Sequence, residues 1–187
     1  MMALTQADQE LVRDLREAGV LQNVDGHRLD QSNGIILVCC ADGDQMPDIW
    51  QFQNGIMQGQ RQTSRIHTLS LNGGALLIPE GSPLNAEAHE DIVLLKHIHE
   101  AIILKGIHTI ALYAHGPCGA AGLAGLTLVE VIGLLKQAGK RVREAFPSAQ
   151  VVCFFHADKG ETKRTYFASA KWFEWLAQQQ TQGHITV

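Results

Sequence analysis

The chain has 187 residues, a length typical of one domain, and 45% of them are hydrophobic, which is enough for a sizeable core. A net charge of −4 argues against a nucleic-acid-binding protein, which needs a basic face. No apolar run is long enough to span a membrane, and the polar, acidic start of the chain does not resemble a signal peptide. Four cysteines, two of them adjacent, do not form the pattern of a secreted disulfide framework. We therefore expect one cytoplasmic domain over residues 1–187, with thiols available for metal binding.

The first predicted elements are a helix and a buried strand. The helix covers about residues 5–19, where Thr5 and Asp8 have the spacing of a capping box and Gly19 gives a stop. Residues 34–40 that follow are continuously apolar and rich in β-branched side chains. This run predicts a strand that is buried on both faces of a sheet.

The next segment is polar and rich in glutamine. Residues 42–65 are predicted to form a loop with at most one short helix, near residues 50–57. A second strand is predicted over residues 66–71, and Asn72-Gly73-Gly74 ends it. The glycine pair permits backbone conformations or a close approach that side chains would forbid.

The second half of the chain alternates between helices and strands. A helix is predicted from about residue 86 to residue 105, with Asn85 as its N-cap and Gly106 as its stop. The remaining predicted elements are a strand over residues 108–114, a helical region over residues 119–146, a strand over residues 151–155 and a helix over residues 165–180.

Strands that alternate with helices predict an α/β fold with a mainly parallel sheet flanked by helices. In such a sheet, ligands bind beyond the carboxyl ends of the strands. Cys40 ends the strand at residues 34–40, and His115-Gly116-Pro117-Cys118 follows the strand at residues 108–114. If these two strands are neighbours, the two groups of potential ligands converge.

The converging residues have the chemistry of a zinc site. His115 and Cys118 are three residues apart and can chelate one ion from a single turn, and Cys40 would complete the set. Two thiolates and one imidazole suit zinc, and three protein ligands leave a fourth position for water. We predict that these three residues hold a catalytic-type Zn²⁺ ion. Cys39 and Cys153 lie inside apolar strands and are expected to pack in the core.

The two motifs resemble the zinc motif of the β-class carbonic anhydrases. That motif is Cys-x-Asp-x-Arg followed by His-x-x-Cys, and here Cys40-Ala41-Asp42-Gly43-Asp44 and His115-Gly116-Pro117-Cys118 stand in those places. Between them, Asn72-Gly73-Gly74 is similar to the family's Asn-Ala-Gly segment, and residues 91–114 resemble the helix and strand that lead into the histidine. The resemblance spans about residues 35–121 and implies a zinc-binding, β-carbonic-anhydrase-like fold that usually assembles as dimers.

The resemblance also implies an activity, the reversible hydration of carbon dioxide to bicarbonate by a zinc-bound hydroxide. Zinc lowers the pKa of its water toward about 7, which gives a nucleophile at neutral pH. Asp42 would accept a hydrogen bond from the hydroxide and orient it, while apolar side chains would hold the uncharged substrate. The expected partners are carbon dioxide, bicarbonate and further copies of this chain, and neither nucleic acid nor a membrane.

One position departs from the family motif, because Asp44 stands where the family has arginine. In the family, that arginine pairs with the aspartate and keeps its carboxylate off the zinc. Without such a cation, Asp42 can bind zinc itself and close the site, and Arg61 and Arg65 are the candidate replacements within this chain. The departure leaves open a catalytically impaired zinc protein with a regulatory or assembly role. Hydrolysis of carbonyl sulfide or carbon disulfide is also left open.

A phosphatase is the less favoured interpretation of the same residues. Asp42-Gly43-Asp44 after an apolar strand resembles the Asp-x-Asp nucleophile motif of haloacid-dehalogenase-like phosphatases. However, Met46 stands where that motif has Thr or Val, and the interpretation leaves His115 and Cys118 without a role. A cysteine phosphatase would need an arginine at the position of Ala124 to hold phosphate.

Overall fold

The structure is a computed structural model that describes residues 3–85 and 88–183. The strands of the described residues are β1 (Leu21–Gln22), β2 (Ile35–Cys40), β3 (Ile66–Leu71), β4 (Thr109–Gly116), β5 (Gln150–Asp158) and β6 (Lys163–Ala168). They form one sheet in the order β1-β6-β5-β4-β2-β3. Neighbours among β2, β3, β4 and β5 are parallel, whereas β6 is antiparallel to β5 and β1 is antiparallel to β6. The predicted α/β class with a mainly parallel sheet is confirmed.

The helices cover both faces of this sheet. In the described residues they are α1 (Gln6–Glu17), α2 (Met46–Gly59), α3 (Glu90–Lys105), α4 (Gly119–Leu123), α5 (Leu128–Ala145) and α6 (Lys171–Thr181). The predicted N-terminal helix is present, and it begins as the sequence indicates. The Thr5 hydroxyl accepts a hydrogen bond from the Asp8 amide, and the Asp8 carboxylate accepts one from the Thr5 amide. None of these helices is both long enough and apolar enough to cross a membrane.

The short helix expected near residues 50–57 is present, but the prediction underestimated its length, because α2 has fourteen residues and replaces most of the expected loop. Pro47 in its first turn has a backbone angle that already suits a helix. Ile49, Gln53 and Met57 recur at helical spacing and are buried against the sheet. The many glutamines of the segment made it look like a loop, because the buried face of the helix is narrow.

The prediction of a helix over residues 165–180 was also wrong in its first part. Thr165 and Phe167 belong to β6, where they pair with His156 and Phe154 of β5. Aromatic residues that suggested a helical stripe are therefore divided between a strand and α6, which begins at Lys171. The strands β1 and β6 were not predicted at all.

The third predicted helix begins later than expected. Its first residue is Glu90 and its N-cap is His89, so Asn85 is not the cap. Residues 86 and 87, where the prediction placed the start, lie outside the described residues. The predicted end is confirmed, since Gly106 adopts a φ of 64° at the C-cap.

The sheet separates two hydrophobic clusters. The cluster with α5 contains Cys40 and Cys153, and the cluster with α2 contains Cys39 and Tyr113. Adjacent cysteines therefore point to opposite faces, as the period of a strand requires. Cys39 and Cys153 are both buried in the core, as expected.

Candidate metal centre

The three predicted ligands converge at the carboxyl ends of the parallel strands. β2 and β4 are parallel neighbours, so the end of β2 at Cys40 lies beside the end of β4, which holds His115. Cys118 follows β4 as the N-cap of α4. One ligand atom from each of these residues lies within 4.8 Å of the other two, and all three side chains are buried. We call Cys40, His115 and Cys118 the ligand cluster.

The hydrogen bonding of His115 shows that the ligand cluster fits a metal ion. The residue is 2% exposed, and neither of its ring nitrogens has a hydrogen-bond partner within the described residues. A buried polar atom without a partner is costly, and native structures rarely contain one without a reason. A metal ion would satisfy one ring nitrogen. Two sulfurs and one imidazole are the donor set that zinc prefers.

The contact between the two sulfurs favours a thiolate at Cys40. The neighbouring Cys118 thiol is the main cause that lowers the pKa of Cys40 to about 4, against the effect of burial. The same contact raises the pKa of Cys118. The pair therefore carries a thiolate at neutral pH, which is the species that binds metal.

The glycine pair after β3 supports Cys40. The amide of Gly73 donates a hydrogen bond to the Cys40 sulfur at 3.3 Å. Gly74 has a φ of 53°, and a Cβ atom there would lie 2.4 Å from the backbone of Cys39 and Cys40. The close approach predicted from the sequence is thus present, and it brings a backbone donor to the thiolate.

Asp42 lies at the rim of the ligand cluster. Its Oδ2 atom is 3.9 Å from His115 Nε2, and its side chain is 30% exposed. Its Oδ1 atom accepts a hydrogen bond of 2.9 Å from the amide of Asp44. One carboxylate oxygen is therefore held by the backbone while the other faces the metal ligands.

Neither arginine that was considered as a replacement cation reaches this site. Arg65 precedes β3 and so lies at the amino ends of the parallel strands, away from the site. It donates hydrogen bonds to the carbonyls of Asn33 and Lys105. Arg61 follows α2, a helix that begins beside Asp42 and runs about 20 Å away from it. Neither candidate is near Asp42, because α2 separates Arg61 from the site and Arg65 lies before β3.

A lysine outside both motifs lies next to the Asp42 loop instead. Lys163 Nζ donates to the Asp44 carbonyl and to Asp48 Oδ2, both at 2.6 Å, and lies 3.7 Å from Asp158 Oδ2. Asp158 Oδ2 also accepts a hydrogen bond of 2.8 Å from Gln45. We call this set the lysine cluster, and its members are Lys163, Asp48, Asp158 and Gln45. The hydrogen bond to Asp48 is the main cause that raises the pKa of Lys163.

His156 is a second residue that the sequence analysis did not identify. It pairs with His115 in the sheet register and is 3% exposed. Its Nδ1 atom lies 2.8 Å from the Thr165 hydroxyl, and Nε2 has no partner in the described part of the chain. Burial lowers the pKa of His156 to about 4, so this imidazole is neutral at pH 7.

A small pocket adjoins the ligand cluster. It has a volume of about 160 Å³ and shares His115 and Cys118 with the cluster. Most of its other lining residues are apolar, and they include Leu4, Leu126, Leu128 and Val131, while Asp8 and Thr127 add polar groups. A larger open pocket of about 510 Å³ lies on the side of His156 and Lys163. The small pocket has a size and polarity that suit a small uncharged molecule.

Comparison with known proteins gives similarities to solved structures. No family model and no curated protein matches the chain. The β-carbonic anhydrase isoform I of Trichomonas vaginalis is 14% identical, with a TM-score of 0.42, and the match covers 89% of this chain and 100% of that chain. The β-carbonic anhydrase CcaA is 12% identical, with a TM-score of 0.45, over 87% of this chain and 84% of that chain.

A third match is the β-carbonic anhydrase CafD of Aspergillus fumigatus, at 12% identity and a TM-score of 0.42, covering 79% of this chain and 98% of that chain. The chain is thus similar to members of the family whose zinc motif its sequence resembles. Identities and TM-scores this low do not carry an activity from one protein to another. Any activity has to be inferred from the residues of this chain.

Proposed function

We propose that this chain is a zinc-dependent enzyme that catalyses the reversible hydration of carbon dioxide to bicarbonate. The observation that carries the proposal is the convergence of Cys40, His115 and Cys118 within 4.8 Å of one another, around an imidazole with no partner in the described residues. Asp42 and a small apolar pocket adjoin this cluster. Together they supply a metal, an acceptor for the nucleophile and a place for an uncharged substrate.

Each residue group has a separate task in this proposal. Cys40, His115 and Cys118 would hold the ion, and when bound, zinc supplies Lewis-acid activation of water at neutral pH. Asp42 accepts a hydrogen bond from the attacking water, and the Asp44 amide on Oδ1 fixes the direction of that acceptor. The mostly apolar pocket beside His115 would hold the uncharged substrate.

A non-catalytic zinc protein is the second candidate, and one observation favours it. No lysine or arginine within residues 3–85 and 88–183 forms an ion pair with Asp42. Asp42 Oδ2 already lies 3.9 Å from a ring nitrogen of the predicted ligand His115, which is near enough for the carboxylate to become a fourth ligand. Four protein ligands would exclude water, and the protein would then have a regulatory or assembly role.

The proposal also includes an oligomeric state and a cellular location. A homodimer or larger oligomer is supported by exposed apolar side chains on α3, such as Ile103 and Leu104, which a second subunit would cover. A reducing, cytoplasmic location is supported by the cysteines, because all four are free thiols.

Stopped-flow measurement of carbon dioxide hydration on the zinc-saturated protein tests the proposed activity. We expect hydration well above the uncatalysed rate, and its loss when the zinc is removed by a chelator. Carbonyl sulfide and carbon disulfide are assayed in parallel, because they are also linear and uncharged. A protein that holds one zinc ion per chain but converts none of the three substrates would contradict the enzyme and support the non-catalytic candidate.

A further inference from the structure

We propose that Lys163 is a positioning residue for Asp42. It holds the loop between β2 and α2 from the side of β6, and so it keeps the Asp42 carboxylate at the rim of the ligand cluster and off the metal. This inference rests on the proposed metal centre. It assigns the task of the missing arginine to a residue that follows Asp42 by more than a hundred positions and does not touch it.

The first link joins Lys163 to the backbone of the loop. Its ammonium group donates to the Asp44 carbonyl at 2.6 Å and to the Asp48 carboxylate at 2.6 Å. The Lys163 side chain is 21% exposed, so these charge-assisted bonds are partly shielded from water. Lys163 therefore fixes two points that flank the beginning of α2.

The second link joins Asp44 to Asp42. The Asp44 amide donates to Asp42 Oδ1 at 2.9 Å, while the carbonyl of the same residue accepts from Lys163. Movement of the Asp44 backbone would therefore move the donor that holds Asp42. With Oδ1 held in this way, Oδ2 faces His115 Nε2 at 3.9 Å.

The third link fixes Lys163 itself. Lys163 is the first residue of β6 and pairs with Asp158, the last residue of β5. Asp158 is 1% exposed and accepts hydrogen bonds of 2.8 Å from Gln45 Nε2 and from the Gly160 amide. Asp158 and Lys163, which flank the β5–β6 connection, thus bond to Asp44 and Gln45 of the loop and to Asp48 of α2. These bonds make Lys163 a rigid support.

The effect of Lys163 on Asp42 is geometric. Asp48 and Asp158 carry two negative charges within 3.7 Å of the ammonium group and neutralise it. The resemblance implies a cation that pairs directly with the aspartate, whereas here the cation acts through a peptide unit. Loss of Lys163 should therefore free the carboxylate to move onto the metal and close the coordination position that water would use.

Azide binding to the cobalt(II)-substituted protein tests this step, because azide enters only an open coordination position and changes the visible spectrum of the ion. The variants are Lys163→Met, Lys163→Arg as the conservative rescue, and Lys159→Met as a matched control on the same β5–β6 connection. We expect azide affinity to fall by about 10-fold or more in Lys163→Met, the range typical of lost outer-shell contacts. Lys163→Arg and Lys159→Met should remain within about 3-fold of wild type, since neither loses a cation next to Asp44.

A double variant separates positioning from general damage. Asp42→Asn in the Lys163→Met background removes the competing carboxylate and should restore azide binding, which a disordered site would not allow. Circular dichroism verifies the fold, and Lys163→Gln replaces Lys163→Met if the latter does not fold. Equal azide affinity in wild type and in folded Lys163→Met would overturn the role of Lys163 alone. A wild-type protein that takes up cobalt but never responds to azide would overturn the open metal centre, and the role of Lys163 with it.

Discussion

The ligand cluster and the lysine cluster lie at the same end of the parallel strands. They differ in how far the hydrogen bonds of the protein satisfy their polar groups. In the ligand cluster, both ring nitrogens of His115 lack partners among the described residues. In the lysine cluster, the charged groups are satisfied, because Lys163 has three oxygen atoms around it and Asp158 has donors on both of its oxygens. The amide oxygen of Gln45 is the one buried side-chain atom of that cluster for which the described residues offer no partner. An unsatisfied buried imidazole beside two cysteine sulfurs is explained by a bound metal ion, whereas a lysine surrounded by carboxylates needs no further ligand. The difference supports the proposed metal binding by the first cluster and the proposed positioning role of the second.

The largest effect is expected when one member of the ligand cluster is removed. His115→Ala should weaken zinc binding by more than about 100-fold, because even outer-shell partners of a metal site contribute about 10–100-fold. Asp158→Asn, the matched change in the lysine cluster, should lower the free energy of unfolding but keep one zinc ion per chain. Zinc content and competition with a chromophoric chelator measure both effects. Equal loss of zinc in the two variants would remove the distinction between the clusters.

The next effect concerns the residue that connects the two clusters. Asp42→Asn keeps the shape of the side chain but accepts hydrogen bonds more weakly. We expect carbon dioxide hydration to fall by about 100-fold, the lower range for loss of a positioned proton acceptor, with zinc content unchanged. The measurement is the hydration rate at equal zinc occupancy. Full activity in this variant would show that Asp42 does not orient the nucleophile.

A pH experiment examines His156, which pairs with His115 in the sheet. Burial lowers the pKa of His156 from its ordinary value of 6.5 to about 4. Between these values the unfolded chain binds a proton that the folded chain does not, so the free energy of unfolding falls as the pH falls. His156→Gln should lose less stability across this window, by up to about 3 kcal/mol.

Urea denaturation of the metal-free wild type and His156→Gln, at pH 7 and at pH 4.5, measures this difference directly. Both proteins are prepared with a chelator, so that acid release of metal does not contribute. Identical pH dependence in the two proteins would mean that His156 takes up its proton in the folded state.

The smallest effect concerns Asp44, which is exposed and whose backbone bonds to Asp42 and to Lys163. Asp44→Arg keeps these backbone bonds and adds a cation beside Asp42, so carbon dioxide hydration should rise by a few-fold. Asp44→Asn removes the negative charge without adding a cation and should show a smaller gain. Unchanged or lower activity of zinc-loaded Asp44→Arg would contradict a need for positive charge near Asp42.

The sequence was sufficient for the ligand cluster because each ligand belongs to a motif at the end of a strongly apolar strand. β2 and β4 need only be neighbours for Cys40 and His115 to meet. The lysine cluster could not be predicted in the same way. Lys163 begins a strand whose aromatic residues had suggested a helix nearby, and its contacts depend on the antiparallel register that places it opposite Asp158. A register is fixed by tertiary packing, and local periodicity does not reveal it.

X-ray absorption at the zinc edge tests the central claim most directly. For the zinc-loaded protein we predict two sulfur ligands at about 2.3 Å and one imidazole nitrogen at about 2.0 Å. Cys40→Ala and Cys118→Ala should each remove one of the two sulfur ligands. A protein that binds no zinc, or a zinc ion without sulfur in its coordination shell, would contradict the account.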